Sequence, residues 1–308
     1  MKTISVCVIT YNQEDVIGRA LESILRQKDW GLYRIIVSDD CSKDRTWEIL
    51  LEYQEKYPLI VCPYRNDHNL GIYQNLAKAE SLLPVSDLYI NLSGDDELCD
   101  GYFERVQRLI EGKKIDTNEA IGIYSDWASV NPKGKKTVFK QDSVLSDNNL
   151  WSLKARGKIG GRSLMISQRV RDGYEPILIG RGLNLTESHY ESQAPLNIKK
   201  AYYLPFVSSL YYTGIGISSR LLVSKSDYLT TQCIEKWNYG LKHYVKNERD
   251  YNYGQYEILK AEFYLHPKWR TIYSILKFYI KGQLPGCRDS FVTSLRIFAS
   301  LIKYKLVS

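Results

Sequence analysis

The sequence predicts an α/β fold: a doubly wound, mostly parallel sheet followed by a helical C-terminal extension. Short apolar runs alternate with helix-like segments through about the first 125 residues. Repeated strand–helix–strand units produce a parallel sheet with right-handed crossovers and helices on both faces. From Asp227 onward the pattern is helical, and we place the boundary near Ser218. Residues 1–218 are therefore assigned to the α/β domain and residues 219–308 to the extension.

The individual elements follow from periodicity and from their flanking residues. The predicted strands are short and rich in β-branched residues, as buried strands are. They are Ile4–Thr10, Arg34–Ser38, Ile60–Tyr64, Leu88–Leu92 and Ala120–Ser125, with extended segments again in Lys199–Tyr212. The predicted helices carry apolar stripes at helical spacing. They are Asp15–Gln27, Arg45–Lys56 (which Asp44 can cap), Gly71–Leu83, Gly101–Gly112, Asp227–Val245, Tyr256–Leu265, Thr271–Ile280 and Ser290–Leu306.

Composition disfavours several classes of protein. The chain has 308 residues, 44% of them apolar and 25% charged, which is typical of a globular protein. No run approaches the ~20 apolar residues of a membrane span, and Ile4–Ile9 is too short for a signal peptide. The six cysteines form no C-x-x-C pair, which disfavours structural zinc and favours reduced thiols in a cytoplasmic protein.

The net charge of +7 is concentrated in two stretches, Lys133–Lys140 and residues 269–308. The first half has no dense Lys/Arg run with interleaved aromatics, so we expect no nucleic-acid partner. For Lys133–Lys140 a solvated basic surface is an equal alternative to a binding role. Toward the C-terminus, Thr271–Lys281 and Ser290–Leu306 combine apolar helical faces with interspersed Lys and Arg. Such helices bind an anionic membrane surface peripherally, or else pack against a core.

Polar groups follow three of the predicted strands. Thr10-Tyr11-Asn12 follows the first strand, Asp39-Asp40 the second and Asp95-Asp96 the fourth. Ligands of parallel α/β sheets bind beyond the carboxyl ends of the strands, so these groups should meet at one edge.

The adjacent carboxylates of Asp95 and Asp96 indicate a hard divalent cation, since Mg²⁺ and similar ions are held by one or two carboxylates plus phosphate oxygens. The alternative is a loop pair that caps the helix near Gly101. A carboxylate in Asp39-Asp40 could accept a uracil imide N–H or a ribose hydroxyl, or the run could simply be a turn that leads into a helix. Tyr11 could stack on a base or serve packing.

Together these segments resemble the inverting family 2 glycosyltransferases of the GT-A fold. The motifs that carry the resemblance are Ser5–Asn12 with the helix Ala20–Gln27, Ile36–Thr46 (close to the family's V-D-D-G-S-T-D-G-T), Asn69–Gly71 with Asn75, and Asn91–Asp96. The resemblance covers residues 3–125 and extends more weakly to about 218. Two positions depart from the pattern: Ser93 stands where many members have Asp, and Gln74 where many have Arg.

The resemblance implies a function and a set of roles. Thr10, Tyr11 and Asp39 would hold the nucleobase and ribose, and Asp95 would lie near the ribose or sugar. Asp96 would reach Mn²⁺ or Mg²⁺ on the diphosphate. Further donor-binding candidates from the same motifs are Asn12, Asp40 and Asn75. The implied reaction transfers a sugar from a nucleoside-diphosphate sugar, with UDP as the expected nucleotide, to a glycan or lipid-linked acceptor during cell-surface polysaccharide synthesis.

The family's catalytic base usually lies in a T-E-D-like segment about fifteen residues before a strand reading Y-Y-L-P. That strand is present as Tyr202–Pro205, and Thr186-Glu187-Ser188 stands at the family's spacing. Because Ser188 replaces the usual Asp, Glu187 or Glu191 must supply the carboxylate. The two lie one helical turn apart and could share a face, or they could be exposed helix glutamates.

Two other functions remain open at this point. A nucleotidyltransferase is disfavoured because Thr10–Gln13 has no glycine for a phosphate loop. A non-catalytic nucleotide-sugar-binding relative is the stronger alternative because Ser93 and Ser188 depart from the family pattern.

Overall fold

The computed structural model describes residues 1–141, 163–176, 192–214, 226–245 and 248–265, together with residues 270, 271, 273, 274 and 277. The chain divides into two compact units, one drawn from Met1–Arg181 and His189–Ser224 and the other mainly from Lys225–Ser308. The boundary predicted near Ser218 lies outside the described residues, so it stays a prediction.

The first unit is an α/β structure, as predicted. Its strands are β1 Ile4–Thr10, β2 Leu32–Asp39, β3 Val61–Arg65, β4 Leu88–Ser93, β5 Glu97–Leu98, β6 Ile121–Val130, β7 Lys136–Phe139, β8 Leu164–Ser167 and β9 Lys200–Tyr212. Its helices are α1 Ile17–Leu25, α2 Thr46–Lys56, α3 Ile72–Ser81, α4 Tyr102–Lys113 and the short α5 Gln168–Arg171. Within the first 125 residues the predicted elements are confirmed with ends displaced by at most two residues, except that β6 continues to Val130.

The described part of this unit forms one sheet in the order β3-β2-β1-β4-β8-β6-β9-β5, with β7 paired to β6. The first four strands are parallel. They read as nearly continuous apolar runs because helices cover both faces. Val6 and Val8 of β1 belong to the large core on one face, while Cys7 packs with Leu76 and Ala79 of α3 on the other.

The second half of the sheet is mixed. β8 is antiparallel to both β4 and β6, and β5 is antiparallel to β9, whereas β6 and β9 are parallel. These antiparallel pairs were not predicted, because the short strands β5 and β8 give no periodic signal. The β6–β9 register shifts on both sides of Asp126, and Pro205, which has no N–H to donate, lies in this irregular stretch.

The second unit contains α6 Ser226–His243 and α7 Glu248–Leu265. The two helices pack closely: a Cβ on Gly254 would lie 2.5 Å from Leu241 Cδ2, and the Trp237 and Tyr253 rings meet edge to face at 5.6 Å. The predicted helix Asp227–Val245 is confirmed, and α7 begins before the predicted Tyr256. Thr271–Ile280 is described at four positions, all helical, and Ser290–Leu306 lies outside the described residues. Within the described part of the chain, no helix combines the length and apolarity needed to cross a bilayer.

Candidate functional site

Strands β1, β2 and β4 end side by side at what we call the carboxyl edge of the sheet. Thr10 pairs with Asp39, and Ile9 pairs with Ser93. The loops that follow the three strands therefore converge, as the rule for parallel α/β sheets requires. The structure thus brings together the three polar segments singled out in the sequence.

Hydrogen bonds join the loop after β1 to the loop after β2. Asn12 donates its N–H to Ser42 Oγ at 2.9 Å, and its Oδ1 accepts the Lys43 N–H at 2.7 Å. Gln13 donates its N–H to Thr46 Oγ1 at 2.8 Å. Asn12 adopts a left-handed backbone conformation, with φ of 51°, which Asn tolerates better than most residues. The two loops therefore form one interlocked unit.

Asp39 lies fully buried at the end of β2. Its carboxylate accepts the Ser42 hydroxyl and, at 3.2 Å, the Ser42 N–H, and Arg65 Nε lies 3.4 Å from Oδ2. Burial raises the pKa of Asp39 above its usual value, while the Ser42 hydrogen bonds and the Arg65 charge oppose that rise. The Arg65 side chain is 38% exposed, so a ligand that binds Asp39 directly must displace part of this cover.

Asp40 and Asn75 belong to a buried network that holds the loop before α3. The Asp40 carboxylate accepts Asn66 Nδ2 at 2.9 Å and the N–H groups of Leu70 and Gly71 at 2.8 and 2.9 Å. Asn75 Oδ1 accepts Asn66 Nδ2 at 2.9 Å, and its Nδ2 donates to a β2 carbonyl at 3.1 Å. These hydrogen bonds all go to protein groups, so both side chains fix a loop beside the carboxyl edge.

The loops after β1 and β4 touch each other. Thr10 Oγ1 donates to Gln13 Oε1 at 2.7 Å, and the half-buried Tyr11 follows in the chain. A Cβ on Gly94 would lie 2.4 Å from Gln13 Oε1 and 3.1 Å from Thr10 Cβ. A side chain at position 94 would press on Thr10 and would displace the Gln13 amide, so Gly94 favours the close approach of the two loops.

Asp95 and Asp96 follow β4 and are only 6% and 5% exposed. The Asp96 N–H donates to the Ser93 carbonyl at 3.0 Å, which closes a tight turn. Asp96 Oδ1 accepts the Tyr212 N–H at 3.2 Å, and the Asp95 carbonyl accepts Arg19 Nη2 at 2.7 Å. The acidic pair is therefore anchored from α1 on one side and from β9 on the other.

Arg19, Glu97 and Tyr212 form a cluster behind the acidic pair. Arg19 Nε lies 2.8 Å from Glu97 Oε1, and its guanidinium stacks 3.8 Å above the Tyr212 ring. Tyr212 donates its hydroxyl to Glu97 at 2.6 Å. Burial and this hydrogen bond raise the pKa of Tyr212 to about 12, so the phenol stays a donor at neutral pH. We call these three residues the anchor cluster.

The acidic pair fits a divalent cation only in part. Among the described residues, no group of three or more His, Cys, Asp or Glu side chains stands close enough to hold a metal ion. Mg²⁺ is commonly held by one or two carboxylates, with water and substrate phosphates completing its octahedron. Asp95 and Asp96 therefore fit an ion that binds together with a diphosphate.

The family comparison adds to this geometry. The model of Glycosyl transferase family 2 matches residues 5–165, just over half of the chain and a range that contains all three loops of the carboxyl edge. The chain belongs to glycosyltransferase family 2.

This family 2 chain resembles proteins of varied origin. It is 35% identical over 97 residues to an uncharacterized protein of Mycobacterium tuberculosis, a match that covers 31% of this chain and 28% of the relative. Staphylococcus aureus TarS (residues 1–349) in complex with UDP-GlcNAc aligns with a TM-score of 0.61 at 16% identity, covering 92% of this chain and 82% of that TarS chain. The Pyrobaculum calidifontis mannosyltransferase PcManGT, in complex with GDP-Man and Mn²⁺, aligns at 0.52 and 16% identity, covering 99% and 81%. The two structures confirm the GT-A fold, and the chain spans less than a third of the mycobacterial relative's length.

Neither the anchor cluster nor Arg65 was predicted from the sequence to belong to the site. Arg19 stood on the polar face of a helix, and Tyr212 at the end of an apolar strand, where neither residue type is unusual. The position of Glu97 directly after the acidic pair was the one signal available in the sequence. Their proximity depends on the antiparallel pairing of β5 with β9, which the sequence did not reveal.

A cavity of about 230 Å³ lies beside β4, on the face that α3 covers, and reaches Ser93 at the carboxyl edge. Its polar lining includes Glu80 and Asn91, joined by a 3.0 Å hydrogen bond. Arg171 borders it too, donating to the Glu80 carbonyl at 2.7 Å and lying over the Tyr89 ring. The cavity was not predicted.

The predicted base segment lies outside the described residues, and Glu187 and Glu191 fall within it. The Y-Y-L-P sequence that locates the segment is part of β9, as predicted. Tyr203 of this sequence donates its hydroxyl to the buried Asp126 at 2.8 Å. The assignment of Glu187 or Glu191 as base stays a prediction.

Proposed function

We propose that this protein is a metal-dependent, inverting glycosyltransferase. It would move a sugar from a nucleoside-diphosphate sugar, with UDP as the favoured nucleotide, to a hydroxyl of a glycan or lipid-linked acceptor in cell-surface polysaccharide synthesis. The observation that carries the proposal is the anchored Asp95–Asp96 pair, held at the same edge as Thr10 and Asp39 inside the family 2 match. TarS and PcManGT, which share the fold, are bound to nucleotide sugars.

Donor recognition is assigned to the carboxyl edge. Tyr11 offers a ring for stacking on the base, and Asp39 a carboxylate for the base or ribose once Arg65 moves. Thr10 and Asn12 shape this pocket through the interlocked loops. Their neighbours Asp40 and Asn75 support donor binding by fixing the loop before α3 (residues 66–71).

Asp96 is assigned to Mn²⁺ or Mg²⁺ on the diphosphate, with Asp95 beside the ribose or sugar. A bound divalent ion stabilises the negative charge that grows on the departing nucleoside diphosphate. The anchor cluster contributes by holding the acidic pair in one position, which matters because a displacement of about 1 Å can cost on the order of 10²-fold in rate.

The reaction is a single in-line displacement. The acceptor oxygen forms a bond to the anomeric carbon as the bond from that carbon to the diphosphate oxygen breaks, and the configuration inverts. Glu187, or Glu191 in its place, takes the proton of the acceptor hydroxyl. The products are the new glycoside and a nucleoside diphosphate.

The test is hydrolysis of nucleotide-sugars by the full chain with Mn²⁺, after thermal-shift screening of UDP-, GDP- and TDP-sugars selects the donor. Asp96→Asn should abolish turnover and weaken Mn²⁺-dependent binding of the nucleoside diphosphate. Asp100→Asn is the matched control, because Asp100 lies four residues away but its side chain is 72% exposed.

Wild-type Mn²⁺-dependent affinity in Asp96→Asn would reject the metal assignment. Tight, Mn²⁺-dependent nucleotide-sugar binding without hydrolysis or transfer would instead support a non-catalytic relative, the alternative suggested by Ser93.

A further inference from the structure

The basic stretch Lys133–Lys140, which the proposed function leaves unused, forms the β6–β7 hairpin. Its lysines are Lys133, Lys135, Lys136 and Lys140, and residues 127–140 contain no Asp or Glu. All four lysines are exposed, as is every residue of β7. Among the residues that the structure describes, no carboxylate pairs with any of the four ammonium groups. Within the part of the chain that the structure describes, the hairpin is therefore a concentrated positive patch without a paired carboxylate.

This hairpin lies next to the acidic pair. Lys136 pairs with Val130, and Val130 pairs with Tyr212, so the three residues share one face of the sheet. Two strand spacings place Lys136 about 10 Å from Tyr212, whose N–H binds Asp96. Burial raises the pKa of the Cys99 thiol to about 11 and the charge of Lys136 opposes that rise, which places Lys136 within electrostatic range of the loop after β5.

The turn of the hairpin is held at the end of β9, next to Tyr212. Val130 accepts the Thr213 N–H at 2.9 Å, and a Cβ on Gly214 would lie 3.0 Å from Pro132. The lysines of the turn are thereby tied to the end of β9, one residue beyond the anchor of Asp96.

We propose that the β6–β7 hairpin docks an acceptor chain that carries repeated negative charge, such as a phosphate- or carboxylate-bearing glycan. The proposal rests on the proposed function and names the class of its acceptor. The positive patch complements such a chain along several units, and its position leads one end of the chain to the acidic pair. A narrow polymer can both carry charge along the hairpin and place one end at the acidic pair, whereas a membrane plane offers only the charge. Long-range attraction of this kind raises association rates and weakens with salt.

The test measures binding of the full chain to hyaluronan oligosaccharides, inorganic polyphosphate, neutral dextran, oligo(dT) and vesicles containing phosphatidylglycerol. The hairpin variant replaces Lys133, Lys135, Lys136 and Lys140 with Gln. The control variant replaces Lys28, Lys56, Lys78 and Lys113, which are equally exposed but lie outside the hairpin, and so removes the same charge. We expect the hairpin variant to lose at least about tenfold in affinity for hyaluronan and polyphosphate at low salt, and the control variant less than about threefold. Dextran should not bind.

Equal losses in the two variants would overturn the proposal, because net charge alone would then explain binding. Hairpin-dependent binding of vesicles or oligo(dT) without binding of hyaluronan would overturn it in favour of another partner. Mn²⁺-dependent donor hydrolysis should be unchanged in the hairpin variant. Absence of hydrolysis in the wild-type chain would count against the proposed function, while hairpin-dependent polymer binding would still stand.

Discussion

Removal of Arg19 tests whether the anchor cluster positions the acidic pair. Arg19→Ala deletes three contacts at once: the 2.8 Å ion pair with Glu97, the 2.7 Å hydrogen bond to the Asp95 carbonyl and the stack on Tyr212. A matched control is available seven residues along the same segment. Arg26 Nε also lies 2.8 Å from a carboxylate, but Arg26 and its partner Asp100 are 48% and 72% exposed.

The expected magnitudes differ because of burial. The Arg19 and Glu97 side chains are only 33% and 15% exposed. The charged hydrogen bond from Arg19 to the Asp95 carbonyl contributes about 1.5 kcal/mol after allowance for partial solvation, and the cation–π contact about 0.5–1 kcal/mol. Arg19→Ala should therefore lower the free energy of unfolding by about 2–2.5 kcal/mol. Arg26→Ala should lower it by less than about 1 kcal/mol, as exposed ion pairs do.

Urea denaturation measures the stabilities, and Mn²⁺-dependent donor hydrolysis at a temperature where both variants are folded measures the function. We expect turnover of Arg19→Ala to fall on the order of 10²-fold, because the carboxylates lose their fixed position, with Arg26→Ala unchanged. Equal stabilities of the two variants, or an Arg19→Ala turnover within about threefold of wild type, would refute the reasoning.

Three further predictions concern other parts of the chain. Glu187→Gln should lower turnover at least ~100-fold with donor affinity nearly unchanged, the signature of a base, whereas normal turnover of Glu187→Gln combined with a slow Glu191→Gln would exchange their roles. The full chain should bind anionic liposomes in a salt-sensitive way, and equal partitioning of a chain ending near Pro267 would contradict this. Hydrogen bonds from Thr3 and neighbouring groups outweigh burial and lower the pKa of Asp87 to about 2. This stabilisation, about 2 kcal/mol, is present above pH ~4 and lost as pH falls toward 2, so acid denaturation curves of wild type and Asp87→Asn should converge there.

The sequence predicted the parallel half of the fold well, because β1, β2 and β4 are buried on both faces and therefore carry an unbroken apolar signal. It did not predict β5 or β8, which are two and four residues long. Strands of that length are specified by their partners rather than by their own periodicity.

For the candidate site, the residue types could be predicted from the sequence, but the orientation of their side chains could not. Asp39 and Asp40 are adjacent and chemically identical, yet one lies under Arg65 while the other accepts the backbone of a loop thirty residues away. Likewise, Arg19 has the sequence pattern of a solvated helix residue, whereas in the structure its guanidinium stacks on Tyr212 of β9. Such assignments depend on which strands pair, which is a property of the whole sheet.

The interlock between the loops after β1 and β2 bears on how the nucleotide preference of the proposed donor site could be re-engineered. Asn12 exchanges hydrogen bonds with Ser42 and Lys43 in both directions, so neither loop retains its shape without the other. Grafting only one of them from a homologue would leave these donors and acceptors without their partners in the other loop. Directed libraries that aim to change the base accepted at the proposed donor site should therefore vary residues 11–14 and 41–46 together.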